Sequence, residues 1–420
     1  MPERADLARL SEGQVLYPVD LTRAEAAALN GSRLVTAQPD VDGWRVTAEY
    51  AVGAVTRGDL VVRVSPKIGP AKVLALLARA HGIRGLKVDA ETVGLASDAD
   101  LSTVLAVLFA QEAATAMAAG PLRGYRTEDQ TLPVLRGRLR MREQYLRRFG
   151  LPVPLEVTVD EWTLDTDENR RLRAAVRTLL SLPDAPRSTV HSLLRLDRLL
   201  GEAAPPSPGA PVPAWTPTRL NSRLHRLLYL ADVALAHASV ESQPGATQTH
   251  GFVINMAWLF ETLVARLLLE NDRRWTSQQS MPLDSAGRLT IRPDLLLQGT
   301  GGIAAVADTK YKLLDENGKI PNEDAYQLVT YCTRLGLDTG HLIYAGSGEP
   351  PEPADVIGAS LRIVVHRVDL TRPLDRIEES IHTLAIAMAH TRDQVVEVAE
   401  AFRRLGTPTC SPAESSNCRS

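Results

Sequence analysis

One stretch constrains this chain more than any other. It runs from Ile291-Arg292-Pro293-Asp294-Leu295 to Ala307-Asp308-Thr309-Lys310-Tyr311. Leu295 to Leu297 and Ile303 to Val306 are apolar runs of strand length, and the turn Gln298-Gly299-Thr300-Gly301-Gly302 between them suits a reversal. The segment reads as a hairpin. Alternate residues of a strand share a face, so Asp308 and Lys310 point the same way. Closure around Gly301 sets Asp294 across from Asp308, and the pleat gathers Asp294, Asp308 and Lys310 into one patch.

Two carboxylates side by side repel by on the order of 4 kcal/mol at ~4 Å and an effective dielectric of ~20. A sheet keeps such a pair where a cation relieves it. Lys310 supplies part of that relief, and a hard divalent ion with carboxylate and water ligands would supply more. A metal held by two acids beside a lysine suits phosphodiester hydrolysis. The ion polarises the phosphate and makes hydroxide from water, and the ammonium offsets charge in the transition state. The plainer alternative is a hairpin with ordinary surface salt bridges.

Neighbouring segments bear on that choice. Gly251 to Glu261 reads as the opening of an apolar helix that continues to about Leu269. On such a helix Glu261 shares a face with Ala257, Val264 and Leu268, where an unpaired carboxylate is costly. No basic residue lies three or four positions away. Glu261 is therefore a candidate metal or supporting residue near Asp294, or an ion-pair partner for Lys310. A helix from about Asn322 to Leu335 puts Gln327 and Tyr331 on one face, able to orient a phosphate or the lysine, or to pack on the sheet. Strands at His341 to Ala345 and Leu361 to Val368 and a helix from about Pro373 to Leu405 complete an α/β layer arrangement.

The length of 420 residues suits two or three domains. Residues 1–122 read as a β-rich and helical N-terminal domain, with strands at Trp44 to Tyr50, Ala51 to Thr56 and Asp59 to Val64 and helices at Val73 to Ala80 and Leu101 to Ala119. Residues 123–240 form an arginine-dense and helical middle region carrying Arg123, Arg126, Arg136, Arg138, Arg140, Arg142, Arg147 and Arg148. These guanidinium groups suit phosphate or a partner, or pair with Glu128, Asp129 and Glu143 on a solvated face. A helix reaches about Leu180, capped by Asp165 or Thr166; a Pro-rich linker or surface loop spans 201–217, and a helix carrying Leu220, Leu224, Leu227, Leu228 and Ala231 follows. Residues 241–405 hold the candidate catalytic domain, and 406–420 read as a disordered tail. The net charge of −3 excludes a polycation, so any nucleic-acid contact must be local. No leader or membrane-spanning run is recognisable, and the spacing of Cys332, Cys410 and Cys418 makes neither a zinc site nor a disulfide framework, which fits a cytoplasmic protein.

Pro293-Asp294, Asp308-Thr309-Lys310-Tyr311 and Gln327 with Tyr331 resemble the PD-(D/E)xK nuclease superfamily, in the branch that includes RecB-type nucleases. Asn255 to Glu261, Arg292-Pro293-Asp294, Ala307 to Lys312 and Tyr326 to Tyr331 more closely resemble the signature of the McrC family. Upstream, Val64 to Gly69, Leu135 to Arg138, and Asp160-Glu161 through Asn169-Arg170 resemble that family's N-terminal pieces in the same order. The resemblance implies an α/β protein: a mixed α/β N-terminal domain, a helical middle segment and a C-terminal restriction-endonuclease-like domain with a mixed sheet flanked by helices. It implies the nuclease subunit of a modification-dependent, type IV restriction system, cutting double-stranded DNA with Mg²⁺ or Mn²⁺. Asp294 and Asp308 would hold the metal with the Thr309 carbonyl, Lys310 would act on the water or phosphate, Glu261 could complete the shell, and Gln327 and Tyr331 would support the site. It further implies a GTP-hydrolysing McrB-like AAA+ partner, engaged by residues 1–122 and stimulated by this chain. Asp315 to Lys319 lacks the first glycine and the hydroxyl residue of a phosphate-binding loop, so this chain alone should bind no nucleotide. The alternatives are a stand-alone RecB-like repair nuclease and a non-catalytic activator of an NTPase.

Overall fold

The computed structural model describes residues 4–83, 100–149, 151–182, 185–204, 211–241, 249–312 and 319–405. It forms two compact units, Met1–Leu259 and Phe260–Ser420. The expected tail at 406–420 lies outside the described residues.

In the first unit a sheet runs in the order Leu10–Ser11, Leu60–Ser65, Ala51–Arg57, Thr249–Asn255, Ala238–Glu241. This corrects one expectation. Residues 249–255 are a strand paired antiparallel with Ala51–Arg57, and the helix starts only at Met256. A short apolar run such as Phe252-Val253-Ile254 fits either element by periodicity, and pairing across the chain decides it. Gly53 permits that pairing, because a Cβ there would lie 1.9 Å from the Phe252 carbonyl oxygen. The same pairing carries the first unit to Leu259, beyond the expected boundary after residue 240.

A second sheet, Val15–Val19, Gly43–Thr47 and Thr36–Asp40, and a third, Gly124–Leu132, Leu155–Thr163 and Arg138–Leu139, belong to the same unit. Its helical layer includes Leu101–Ala116, Asp167–Ser181 and His225–His237. Asp100 caps the first of these and Thr166 the second through side-chain oxygens. The segment 123–240 is thus packed with 1–122 rather than set apart, since Leu101–Ala116 lies against His225–His237. Leu220 is 85 % exposed and precedes the helix it was assigned to, while Leu224, Leu227, Leu228 and Ala231 are buried. The described parts of 201–217 are held rather than free: Arg171 Nη1 donates to the Pro213 carbonyl at 2.8 Å and Trp215 Nε1 to Asp232 Oδ2 at 3.0 Å.

The second unit holds a six-stranded sheet in the order Trp275–Ser277, Leu295–Gly299, Gly302–Lys310, Thr339–Ala345, Arg362–Val368, Ala354–Asp355. The expected hairpin is present, with Leu295 opposite Ala307 and Gly299 opposite Gly302. Parallel pairing of Gly302–Lys310 with Thr339–Ala345 requires a crossover, and the helix Asn322–Leu335 lies within it. That helix buries Leu328, Tyr331 and Cys332 against Leu296, Val306, Leu342 and Tyr344. The helix Leu374–Leu405 packs on Gly302–Lys310 and Arg362–Val368. No helix among the described residues is long and apolar enough to cross a membrane.

Candidate active site

The hairpin register carries one step past Leu295–Ala307, so Asp294 meets the end of the neighbouring strand. Its Oδ2 accepts from the Thr309 amide and hydroxyl, both at 2.8 Å. Its Oδ1 accepts from Gln278 Nε2 at 2.9 Å. Thr309, expected to offer its carbonyl, here uses its amide and hydroxyl to hold Asp294.

Asp308 is 2 % exposed, and Lys310 Nζ lies 2.6 Å from its Oδ2. This ammonium is the charge partner that the buried Asp308 oxygen has. Burial, then the Asp294 charge, push the Asp308 carboxyl up to about 6 against the pull of Lys310. Lys310 Nζ also donates to Gln327 Oε1 at 2.8 Å. Gln327 Nε2 donates to the Tyr331 hydroxyl at 2.6 Å, and that hydroxyl reaches the Arg292 carbonyl at 3.4 Å. The helical spacing of Gln327 and Tyr331 thus ties the lysine to the segment preceding Asp294. Burial raises the Tyr331 phenol above its ordinary range.

Glu261 joins through an intermediary. Gln278 Nε2 donates to Glu261 Oε1 as well as to Asp294, and its own amide donates to the Asp294 carbonyl at 3.0 Å. Burial first, then Asp294, raise the Glu261 carboxyl to about 7, opposed by the Gln278 hydrogen bond. An ion pair of Glu261 with Lys310 is not formed; Lys310 lies on Asp308 instead.

Asp294, Asp308, Lys310, Gln327 and Tyr331, singled out from the sequence, thus form one network, with Glu261 at its edge. Four further members were missed. Gln278 sits at φ 55 in an irregular segment and has no sequence signal. Asp324, Lys312 and Tyr344 form a second charged group beside Lys310. Two of these had a signal: Lys312 continues the alternation of Asp308 and Lys310, and Asp324 lies one turn before Gln327.

Among the described residues, no three His, Cys, Asp or Glu side chains gather closely enough to hold a metal by themselves. Two neighbouring carboxylates, Asp294 and the buried Asp308, are nonetheless oxygen donors of the kind that suit a hard ion retaining several waters.

The chain resembles one in the refined half-complex of a tetradecameric assembly of Thermococcus gammatolerans McrB AAA+ hexamers with bound McrC. The TM-score is 0.55 at 20 % identity, covering 90 % of each chain. It also matches a chain of the cryo-EM structure of the Thermococcus gammatolerans McrBC complex at TM-score 0.40 and 21 % identity, covering 62 % of this chain and 87 % of that one. No curated protein matches. The family model described as McrBC 5-methylcytosine restriction system component matches residues 46–345. The chain therefore belongs to the McrBC 5-methylcytosine restriction system component family, the family of McrC.

Proposed function

We propose that this chain is the DNA-cleaving subunit of a McrBC-type restriction system, a PD-(D/E)xK nuclease that hydrolyses phosphodiesters with Mg²⁺ in concert with a GTP-hydrolysing AAA+ partner, in the cytoplasm. The observation that carries the reading is the pair Asp294 and Asp308, brought together at a strand end with Lys310 Nζ 2.6 Å from a buried Asp308 oxygen. Asp294 and Asp308 would hold Mg²⁺ or Mn²⁺, with the Thr309 carbonyl and Glu261 as further candidates. Such an ion would polarise a phosphate and lower the pKa of a bound water, easing its deprotonation. Lys310 holds positive charge beside Asp308, where it offsets charge that develops on the phosphate. Gln327 restricts the lysine head to that position, and Tyr331 restricts Gln327. Gln278 clamps Asp294 against Glu261.

The partner reading rests on the first unit. Tyr125 and Trp162 are 76 % and 54 % exposed with ring centroids 4.8 Å apart. Met141, Tyr145 and Phe149 are exposed on the adjacent helix and its end. Arg138 and Arg142 lie in the same segment with no ion pair among the described residues. Exposed aromatics with arginines suit a protein partner. We place the motor contact on 124–163 rather than on 1–122.

The test is cleavage of modified double-stranded DNA with and without the AAA+ partner, GTP and Mg²⁺. Cleavage needing all three, and lost in D308A and K310A, supports the reading. Cleavage without nucleotide or partner indicates a stand-alone nuclease. Restriction at the wild-type rate by both variants indicates an activator that does no chemistry.

A further inference from the structure

A second lysine and a second buried carboxylate stand beside the first pair, and the hydrolysis described above uses neither. Lys312 Nζ donates to Asp324 Oδ1 at 3.0 Å and to Glu323 Oε1 at 2.9 Å. Asp324 is 3 % exposed, and its Oδ2 accepts from the Tyr344 hydroxyl at 2.6 Å. Tyr344 is itself buried, on the strand paired with Gly302–Lys310. Asp324 precedes Gln327 by one helical turn, so both face the lysine from the same side of Asn322–Leu335.

The two pairs are close enough to compete. Lys310 Nζ sits 2.6 Å from Asp308 Oδ2 and 3.9 Å from Asp324 Oδ1. A buried carboxylate that loses its counter-charge draws the nearest cation, because little water is present to solvate it. With Lys312 in place, Asp324 is satisfied by an ammonium and a phenol. Without Lys312, the ammonium next in reach is that of Lys310, on a flexible four-carbon stem. Movement onto Asp324 would withdraw it from Asp308 and Gln327.

We infer that Lys312 is a positioning residue: by occupying Asp324 it keeps Lys310 on Asp308 and Gln327. The activity part of the test rests on the nuclease reading; the structural part does not.

The experiment uses the full chain with its AAA+ partner, GTP, Mg²⁺ and modified DNA. K312M keeps the stem and removes the charge, and its cleavage is expected to fall by roughly 10- to 100-fold, the range seen when partners that orient a site's ligands are removed. K312R is expected to retain activity. The double variant K312M/D324N is the decisive one. The amide that D324N introduces would still accept from Tyr344 but would not compete for Lys310, so cleavage should return to near the wild-type rate. A merely structural loss would not be rescued by removing a second charge. Wild-type cleavage by K312M, or a double variant as inactive as K312M, overturns the inference. If K312M does not fold, K312Q keeps a polar head without the charge and is read the same way against K312Q/D324N. A crystal structure of the single variant gives an answer independent of activity. Lys310 Nζ on Asp324 supports the inference and Nζ still on Asp308 overturns it, even if wild-type protein cuts nothing and the nuclease reading itself falls.

Discussion

Glu156 in the first unit and Asp308 in the second are both strand carboxylates, each 2 % exposed. Their surroundings differ. Glu156 accepts from Arg148 Nε and the Thr131 hydroxyl, both at 3.1 Å, and Arg147 Nη1 stands 3.6 Å away. Its backbone amide is taken by Gln144 at 2.7 Å. Asp308 has one lysine, shared with Gln327, and the charges of Asp294 and Asp324 oppose its ionisation. Burial and charge are therefore equal, and what separates the two is the balance of counter-charge. The first carboxylate is a structural fixture that ties a helix to a strand. The second is a carboxylate whose ionised form its surroundings disfavour, which marks functional sites more often than structural ones.

The comparison breaks or sharpens at four points. The largest effect is catalytic. D308A should lower partner-driven DNA cleavage by roughly 10³-fold and K310A by roughly 10²–10³-fold, as for other groups that stabilise transition-state charge. Single-turnover cleavage rates measure this, and wild-type rates in both would erase the distinction from Glu156.

Next in size is E156A, which should cost about 2–3 kcal/mol in urea unfolding because it leaves a threonine and two arginines without their shared partner. A loss within ~0.5 kcal/mol would show that Glu156 is no fixture.

The third effect runs in the opposite direction. The folded-state value of about 6 for Asp308 lies above its ordinary 3.8, so the fold favours the protonated form. Below about pH 4 the group is protonated folded and unfolded alike and costs nothing; the cost grows as pH rises through about 6 and is complete above it. D308N lacks that cost. In chelator it should exceed wild type by roughly 1–3 kcal/mol at about pH 7.5 and match it near pH 4. Added Mg²⁺ should raise the melting temperature of wild type more than that of D308N. A D308N protein less stable than wild type at neutral pH would refute the account of a strained carboxylate.

The smallest effect on stability belongs to Arg138 and Arg142. R138A and R142A should leave unfolding unchanged within about 0.5 kcal/mol and should weaken the dependence of cleavage on partner concentration. Destabilisation on the scale of E156A would mean that these arginines belong with the fixtures.

Some of this was legible before any fold was known. Strand alternation alone set Asp308 and Lys310 on one face, and the glycines at 299–302 placed the reversal that brings Asp294 alongside. Helical spacing alone paired Gln327 with Tyr331. The helix expected from Asn322 to Leu335 has those bounds. What stayed hidden depends on distant residues. Whether 249–255 coils or extends is settled by Ala51–Arg57, nearly two hundred positions upstream. Gln278, which links Glu261 to Asp294, comes from an irregular segment in a left-handed conformation that no periodicity marks. Asp324 meets Tyr344 only because the strand carrying the tyrosine lies parallel beside Gly302–Lys310. Local pattern determines which side chains share a face, since that follows from backbone geometry over a few residues. Which counter-charge or clamp arrives at that face is decided by long-range packing, and so by the tertiary structure alone.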